Sequence, residues 1–428
     1  MADVAVHPQS RRPRRPRRGS SELTGDRPDR PRGPTRACLA ALTLCATSVS
    51  LAQQNVPFAN GIPVAPEMPI PAMPDRPVEY PTAEGMRICV SVVTRGIEHP
   101  WSIAFVSNDV WLVTQTHGGL RVVRNGILDP EPVAGAPEVK PARRSGLLEV
   151  TLHPRFADNQ LVYLTYHKPL PEDKGALALA RGRWDGRALR DVRDLFVTQP
   201  NSGTVSRMIF GPDGKIYMST AGGDAQDPST HAGKVLRLND DGSVPRDNPF
   251  VGRDGYLPEI FTLGHRTTLG LAVHPGTGQI WQSENGPNGG DEINVLVPGG
   301  NYGWPLVSLG RTYQGAWQSQ KFQGEGFIDP VVYWMPSIAV SGLAFYTGDR
   351  LPKWKGDVFV GGLRMGEIIG TGQIQRILFN ENMQELRREA LLTDWRHRMR
   401  DIRQGPDGLL YVLVDDEDGA ILRIEPAL

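Results

Sequence analysis

Cysteine is scarce in this sequence, which has only Cys38, Cys45 and Cys89 in 428 residues. The first two fall inside an apolar run that is typical of a cleaved signal, so Cys89 alone would remain in the mature chain. A single cysteine excludes an internal disulfide. Any inference that the protein is exported therefore rests on the leader, because no disulfide framework can support it.

No apolar run is long enough to cross a membrane. Residues 37–52, ACLAALTLCATSVSLA, are uncharged and mostly apolar, but these sixteen residues fall short of the roughly 20 that a membrane-spanning helix needs. The run ends in Ser50-Leu51-Ala52, a small-x-small cleavage pattern. We expect residues 1–52 to be an Arg-rich head and secretory signal, cut after Ala52, and the mature protein to be periplasmic or secreted.

Positive charge is concentrated in the head. Residues 1–36 contain ten arginines, whereas residues 53–428 carry 37 basic and 43 acidic residues. Phosphate contacts need clustered Lys and Arg, so we expect no nucleic-acid partner. The head is unusually long for a signal. Either the true start lies downstream of Met1 or the Arg-Arg pairs mark twin-arginine export; the first is favoured, because no hydrophobic run follows those pairs closely.

Helical periodicity is nearly absent. Residues 53–85 contain eight prolines and are expected to form an extended, poorly ordered Pro-rich linker. From residue 86 to 428, short β-rich runs end in Gly, Asp or Asn. Only residues 382–392 look briefly helical, and a charged loop is the alternative for them.

One phrase recurs in the β-rich region: an apolar strand, a tight turn containing Pro or Gly, and a second strand with aromatic residues. It occurs at residues 207–220, 270–284 and 401–416. Repeated antiparallel hairpins of this kind indicate an all-β fold and favour the blades of a β-propeller. The spacing is irregular, so an array of β-sandwiches remains the alternative.

Residues 281–304, WQSENGPNGGDEINVLVPGGNYGW, hold the densest cluster of glycine and oxygen-bearing side chains. Glycine permits backbone conformations that expose carbonyl groups, and carbonyls with carboxylates suit a hard cation. Two loops in this stretch could therefore bind Ca²⁺. The alternative is a pair of tight turns, because Asn-Gly and Gly-Gly are common turn signals. No Ser/His/Asp order, phosphate loop or Cys/His zinc spacing is present elsewhere.

Eight phrases, in order over about residues 98–427, resemble the glucose/sorbosone dehydrogenase family, the soluble pyrroloquinoline-quinone (PQQ) sugar dehydrogenases. They are HPWSIAF, SGLLEVTLHPRF, GKVLRLNDDGSVPRDNPF, EIFTLGHR, ENGPNGGDEIN, GGNYGWP, PSIAVSGLAFY and RMRDIRQGPDGLLYVL. The resemblance implies a six-bladed β-propeller with PQQ over the central channel and Ca²⁺ against it.

The resemblance also implies metal-binding residues. The family's cofactor-bound Ca²⁺ takes backbone carbonyls that correspond here to Gly286 and Pro287. A second Ca²⁺ is expected near Glu292 and Tyr302.

Cofactor-binding residues follow in the same way. Arg398 and Arg400 match an arginine pair of the family, and Arg364 stands where a lysine is usual. Arg266 matches the arginine beside the quinone's reactive carbonyl. Arginine suits the three carboxylates of PQQ, because its fork can bond a carboxylate with two hydrogen bonds. Arg144 replaces a family glutamine, and we include it with these residues. A surface ion pair is the alternative role for any one of them.

The family's catalytic histidine is missing. It stands four residues before the arginine that corresponds to Arg207, where this chain has Gly203. A further departure is Thr267, which replaces an asparagine. We expect Asp224 to act in place of the histidine, from a loop facing the cofactor.

Other candidates for that role are Asp227, His231 and His397, whereas His265 is expected to be a packed histidine.

The expected function is that of an exported PQQ- and Ca²⁺-dependent oxidoreductase. Its partners would be a small-molecule sugar or alcohol substrate and an electron acceptor. A catalytically silent propeller that binds a saccharide or carboxylated ligand is the main alternative. A Ca²⁺-dependent hydrolase or lactonase is the third.

Overall fold

The computed structural model describes residues 58–59, 62–63, 67–140 and 146–427. The expected signal, its cleavage site and Arg144 lie outside these residues. Helices in the described part are short: α1 covers Phe156–Asn159, and single 3₁₀ turns cover Ala83–Gly85 and Pro352–Trp354. None of these helices is long and apolar enough to span a membrane.

The N-terminal strands are a short hairpin and two strands that join the last sheet of the fold. They are β1 Phe58–Ala59, β2 Ile62–Pro63, β3 Val78–Pro81 and β4 Arg87–Arg95.

Five four-stranded antiparallel sheets follow along the chain. Blade 1 contains β5 Pro100–Phe105, β6 Val110–Gln115, β7 Leu120–Arg124 and β8 Ile127–Leu128. Blade 2 contains β9 Leu147–Leu152, β10 Leu161–Pro169, β11 Gly175–Trp184 and β12 Leu189–Val197. Blade 3 contains β13 Met208–Phe210, β14 Ile216–Ser219, β15 Lys234–Leu238 and β16 Ile260–Leu263.

The remaining sheets complete the fold. Blade 4 contains β17 Thr268–Val273, β18 Ile280–Glu284, β19 Asp291–Val295 and β20 Val332–Trp334. Blade 5 contains β21 Val340–Phe345, β22 Val358–Gly362, β23 Gly372–Phe379 and β24 Glu385–Arg396. Blade 6 contains β25 Met399–Gln404, β26 Leu410–Val414 and β27 Ala420–Pro426, followed in the sheet by β4 and β3.

The six sheets close into a ring. The first strand of each blade contacts the first strand of the next, and β25 of blade 6 contacts β5 of blade 1. In blade 6 the C-terminal strand β27 pairs with the N-terminal strand β4, with Ile424 opposite Val90. This pairing joins the two ends of the domain within one sheet. The expected six-bladed β-propeller is therefore confirmed.

The recurring turn phrase connects the first and second strands of blades 3, 4 and 6. In blade 3, Gly214 has a φ of +72°, a conformation that glycine adopts readily. The Asp213 carboxylate accepts a hydrogen bond from the backbone N–H of Lys215 at 3.1 Å. Asp407 and Gly408 repeat this arrangement in blade 6, with a φ of +77° at Gly408. Repeated turn chemistry thus marks equivalent positions in different blades.

Two segments differ from the local structure that the sequence predicts for them. Residues 382–392 do not form a helix: most of them lie in the outer strand β24. Its charged side chains suit an exposed sheet edge, where charge opposes edge-to-edge pairing. Part of the expected linker is also ordered, because β3 pairs with β4. An edge strand needs only one hydrogen-bonded neighbour, so it tolerates Pro77 and Pro81 beside or within it.

Charged side chains meet between the inner strands of blades 2, 3 and 6: Glu149 lies in β9, Asp401 and Arg403 lie in β25, and Arg207 directly precedes β13. Arg207 lies 3.2 Å from the Glu149 carboxylate and 3.4 Å from that of Asp401. Arg403 bonds the same two carboxylates at 2.9 and 3.0 Å. We call these four residues the central ion cluster.

Candidate active site

A cavity of about 130 Å³ opens where the inner strands begin. A wider cleft of about 640 Å³ adjoins it. Both are lined by Trp101, Leu363, Arg364, Arg398 and Arg400. The propeller thus presents one continuous polar recess at this end of the channel.

The narrow cavity collects side chains from several blades and loops. Its other lining residues are Val205, Arg266, Thr267, Leu269, Asn285, Gly286, Pro287, Asp291, Tyr313, Ser337, Ala339 and Glu367. Four of the five expected cofactor-binding arginines therefore meet here, together with Gly286 and Pro287.

Arg398 and Arg400 converge on one carboxylate. Arg398 bonds Asp415 through Nε at 3.1 Å and Nη2 at 3.0 Å, and Arg400 donates to the same oxygen. His99 Nδ1 bonds the other oxygen at 2.9 Å. Burial alone would raise the pKa of the Asp415 carboxyl, but Arg400 and its neighbours hold that pKa far below its usual range. The carboxylate is therefore a fixed anion that orients three positive or protonatable groups.

Arg400 is the most enclosed of these cations. It is 6% exposed and lies 4.8 Å over the Trp101 ring. Burial lowers the pKa of Arg400 to about 10, so the guanidinium remains charged at neutral pH. Its Nε atom is buried without a hydrogen-bond partner. A buried charged donor without a partner favours an anionic ligand, such as a carboxylate, at this position.

The glycine-rich loop supplies oxygen to the other side of the cavity. The carbonyls of Asn285 and Gly286 accept hydrogen bonds from Arg266 Nη1 at 3.0 and 2.7 Å. A Cβ at position 286 would lie 2.3 Å from the carbonyl oxygens of Gly289 and Gly290. Glycine is therefore required for this tight turn. The turn directs carbonyl oxygen toward a cation, which in this structure is a guanidinium.

Asp291 holds that loop in place. Its carboxylate accepts hydrogen bonds from the backbone N–H groups of Gly286, Ile338 and Val340 at 3.0, 3.0 and 2.9 Å. Burial raises the pKa of Asp291 to about 6. Since its oxygens are occupied by backbone donors, this carboxylate has a positioning role in the folded protein.

Arg364 forms an ion pair with Glu367 inside the cavity. Both side chains are partly buried and both line the same wall. The arginine therefore keeps the positive charge that the family resemblance implies, but an internal carboxylate neutralises it.

Glu292 and Tyr302 lie away from the cavity, around Glu284. Asn294 donates to Glu284 at 2.9 Å and to Glu292 at 3.3 Å. Burial raises the pKa of Glu292 well above its usual value, and the Glu284 charge adds to the effect. The Tyr302 hydroxyl donates to the carbonyl of Val295 at 2.6 Å. No group of three or more His, Cys, Asp or Glu side chains is arranged as a metal site in the described residues.

Asp224 does not line the cavity. It is exposed, and its carboxylate accepts the backbone N–H groups of Gln226 and Asp227 at 3.0 and 3.3 Å. The buried Lys234 ammonium bonds the carbonyls of Asp224 and Ala225 at 3.3 and 3.1 Å. Asp224 thus closes a turn of the loop.

The histidine candidates are engaged elsewhere. His231 bonds Glu259 at 2.5 Å through Nε2 and accepts the N–H of Gln199 through Nδ1. His397 Nε2 donates to the Pro71 carbonyl at 2.9 Å. His265 is fully buried.

Gly203 has no room for a side chain. Its φ is +125°, and a Cβ would lie 2.3 Å from the Ala221 carbonyl oxygen. Val205, two residues on, lines the cavity instead. Thr267 also lines it, and its carbonyl accepts the N–H of Asn285 at 2.9 Å. The local backbone therefore differs from one that would carry a histidine at this point.

Sequence reasoning missed His99, Glu367 and Asp415. The first lies inside the quoted phrase HPWSIAF, and the last follows the strand in LLYVLVDD, so both were visible as polar residues at strand ends. His99 and Asp415 are 316 residues apart in sequence, and only ring closure brings them together.

Known proteins are similar to this chain over the region that forms the propeller. The family model described as glucose / sorbosone dehydrogenase matches residues 97–423. The aldose sugar dehydrogenase YliI of Escherichia coli is 37% identical over 354 residues, covering 79% of this chain and 92% of that protein. An uncharacterised protein of Synechocystis is 38% identical over 379 residues, covering 82% and 90%.

Solved structures are similar over the same region. The apo form of the soluble aldose sugar dehydrogenase of Escherichia coli has a TM-score of 0.74 at 34% identity, covering 79% of this chain and all of that one (100%). The PQQ-bound aldose sugar dehydrogenase of Streptomyces coelicolor has a TM-score of 0.65 at 27% identity, covering 81% and 99%. The chain belongs to the glucose/sorbosone dehydrogenase family.

Proposed function

We propose that this protein is an exported quinone-dependent oxidoreductase that oxidises a sugar or related alcohol with PQQ as its cofactor. The observation that carries the proposal is the convergence of Arg266, Arg364, Arg398 and Arg400 with the Gly286–Pro287 turn on one cavity. Relatives named as aldose sugar dehydrogenases, one of them solved with PQQ bound, support the same chemistry. When bound, PQQ would supply the two-electron acceptor.

The arginines would hold the carboxylates of the cofactor. Arg400 has an unpartnered Nε, and Asp415 fixes its guanidinium and that of Arg398. Fixed guanidinium groups lose little entropy on binding a carboxylate, and charge-assisted hydrogen bonds are stronger than neutral ones. This half of the site would anchor and orient the ligand.

The turn at Gly286 and Pro287 would hold Ca²⁺ through backbone carbonyls. Hard cations prefer oxygen ligands, and the Gly286 carbonyl already accepts from a cationic group. Glu292 and Tyr302 would belong to the second Ca²⁺ site, supported by the buried Glu284–Glu292 pair. A cation there would relieve the repulsion between the two carboxylates.

A carboxylate of the cavity would accept the substrate's hydroxyl proton in place of the missing histidine. Asp291 and Glu367 are the carboxylates among the described residues that line the narrow cavity. Asp291 is held by three backbone donors, so Glu367 is the better candidate. Its Oε atoms would take the proton once an anionic ligand engages Arg364.

Glu367→Gln tests this role. We expect turnover to fall about a hundredfold or more, because general-base catalysis contributes roughly 10²–10⁴ in rate. Quinone affinity should be kept, because the variant leaves Arg364 free to bind a carboxylate. Glu325→Gln, on an exposed loop, is the control. Unchanged turnover in Glu367→Gln would exclude the carboxylate as the proton acceptor.

The decisive experiment is titration of the purified mature protein with PQQ, first with Ca²⁺ and then with a chelator. Bound-quinone absorbance reports binding, and dye reduction with a panel of aldoses and alcohols reports turnover. Tight Ca²⁺-dependent binding with turnover is the expected result. Absence of quinone binding would overturn the proposal.

A catalytically silent propeller is the second candidate, favoured by the backbone at Gly203. Since a side chain there would collide with Ala221, the position of the usual base is closed. Such a protein would bind the quinone or another carboxylated ligand in the same recess. Quinone binding without turnover of any aldose or alcohol would support this alternative.

A further inference from the structure

Residues 67–75, which we call the N-terminal strap, lie before the family-matched region of residues 97–423. The strap is tied to blades 5 and 6. The N–H of Met68 donates to the Ile369 carbonyl at 3.0 Å, and Arg396 donates to the Pro69 carbonyl at 3.1 Å. Farther along, Arg95 donates to the carbonyls of Met73 and Pro74, both at 3.0 Å. The segment is therefore a docked part of the domain.

The strap is placed close to the loop that precedes β23. At Gly370, φ is +78°, and a Cβ would lie 2.1 Å from the Met68 carbonyl oxygen. Glycine is thus required for this approach. Met73 is buried in the core cluster between blades 5 and 6 and anchors the end of the strap.

Ile70 connects the strap to the recess. Its side chain lines the wider cleft that Arg364, Arg398 and Arg400 also line. It is 39% exposed and shares this wall with Ile369, which is 43% exposed. One side of a cleft rich in charge is therefore aliphatic, and Ile70, which contributes to that side, lies before the family-matched residues.

We propose that the N-terminal strap is a specificity element, in which Ile70 restricts the cleft to small substrates and disfavours a second sugar ring. This inference rests on the proposed sugar oxidation. A hydroxyl group pressed against an aliphatic wall loses its bonds to water without gaining new ones. A monosaccharide reaching the narrow cavity avoids that loss, whereas the outer ring of a disaccharide meets Ile70 and Ile369.

The kinetic test uses glucose and maltose as substrates of the PQQ-loaded full mature protein. Ile70→Ser should raise the maltose-to-glucose ratio of kcat/KM about three- to tenfold, and Ile70→Trp should lower it, because a pocket discriminates by shape and lost hydrogen bonds. Met68→Ala is the matched control, since Met68 is an exposed strap residue (38%) that does not line the cleft. Equal ratios in all four proteins would overturn the proposal.

A second measurement does not depend on turnover. In a Cys89→Ser background, Ile70→Cys provides one thiol for alkylation by iodoacetamide. At saturating sugar with PQQ and Ca²⁺, maltose should slow its labelling more than glucose does, because only the outer ring of maltose reaches position 70. The matching Met68→Cys protein should label at the same rate with either sugar.

Protection without turnover would retain the specificity element and contradict only the oxidation. Turnover without protection or a changed ratio would remove the specificity element and leave the oxidation intact.

Discussion

The two ends of the propeller channel are built from the same six inner strands but differ in chemistry. At the start of the strands lies the recess with Arg398, Arg400 and the Gly286 turn. At their far ends lies a cleft of about 580 Å³ lined largely by aliphatic and aromatic side chains, among them Ile103, Leu271 and Phe345. The fold thus has a polar mouth at the strand starts and an apolar mouth at the strand ends. The residues at strand starts and in the loops decide which one can hold an anionic ligand.

The central ion cluster holds several blades together. Arg207 donates to the backbone carbonyls of Trp101, Leu269 and Arg400, at 3.1, 2.8 and 3.2 Å. It therefore ties blades 1, 4 and 6 together directly beneath the polar recess. Which of the two cavities a residue lines depends on its position along the inner strand, whichever blade it belongs to.

The largest expected effect is the loss of stability when the central ion cluster is disrupted. Arg207→Met should lower the free energy of unfolding by about 3–5 kcal/mol, because it leaves buried carboxylates short of a partner. Urea unfolding of the apo protein measures the change. Arg190→Met removes an exposed pair with Asp185 and should change the free energy of unfolding very little, because solvent screens such pairs. A similar small loss for Arg207→Met would mean that the cluster does not support the ring.

The next largest expected effect is on PQQ affinity, which should depend on the polar mouth and not on the apolar mouth. Arg400→Gln should weaken PQQ binding about 10- to 100-fold, since a charge-assisted hydrogen bond contributes roughly 1.5–3 kcal/mol. Equilibrium titration followed by absorbance measures the affinity. Thr347→Ala, at the apolar mouth, is the control and should leave the affinity unchanged. Equal losses in both variants would show that the polar mouth is not the binding site.

The smallest expected effect is on the pH dependence of stability, and its sign differs between the polar and the apolar mouth. The hydrogen bond to Asp415 raises the pKa of His99 above 6.5, so folded His99 keeps its proton longer than unfolded His99 does. Its stabilising contribution is complete below 6.5 and is lost as pH rises through the folded pKa. His99→Gln should remove this decline, as measured by urea unfolding over a pH series.

His274, packed against Phe345 of the apolar mouth at 4.9 Å between ring centroids, has the reverse dependence. Burial lowers the pKa of His274 below 6.5, so the folded state binds fewer protons there. Protein stability should therefore fall as pH drops from 6.5 through that lower pKa. His274→Gln should reduce this acid loss. The same sign of change in both variants would contradict the assignment.

Local sequence pattern was enough to predict the strands and turns of most blades. The repeated turn chemistry around Asp213 and Asp407, with alternating apolar strands, identified the β-propeller. The strand pattern is weakest in β11, GALALARGRW, which is rich in alanine, a residue of low strand propensity. The sequence pattern gave the wrong structure for residues 382–392, because the charges of β24 suit a sheet edge as well as a helix face.

The sequence by itself determined the family, the ring of blades and the candidate arginines, because short motifs encode turns and strand starts locally. Tertiary structure alone decided that Asp415 orients Arg398 and Arg400, that Asp224 lies off the cavity and that Ile70 reaches the cleft. It also decided that Gly203 has no space for a side chain. These relations depend on how separate strands and loops pack against one another, which no local motif encodes. Ile70 is the most distant case, because the pairing of β4 with β27 brings the N-terminal end of the domain beside blade 6.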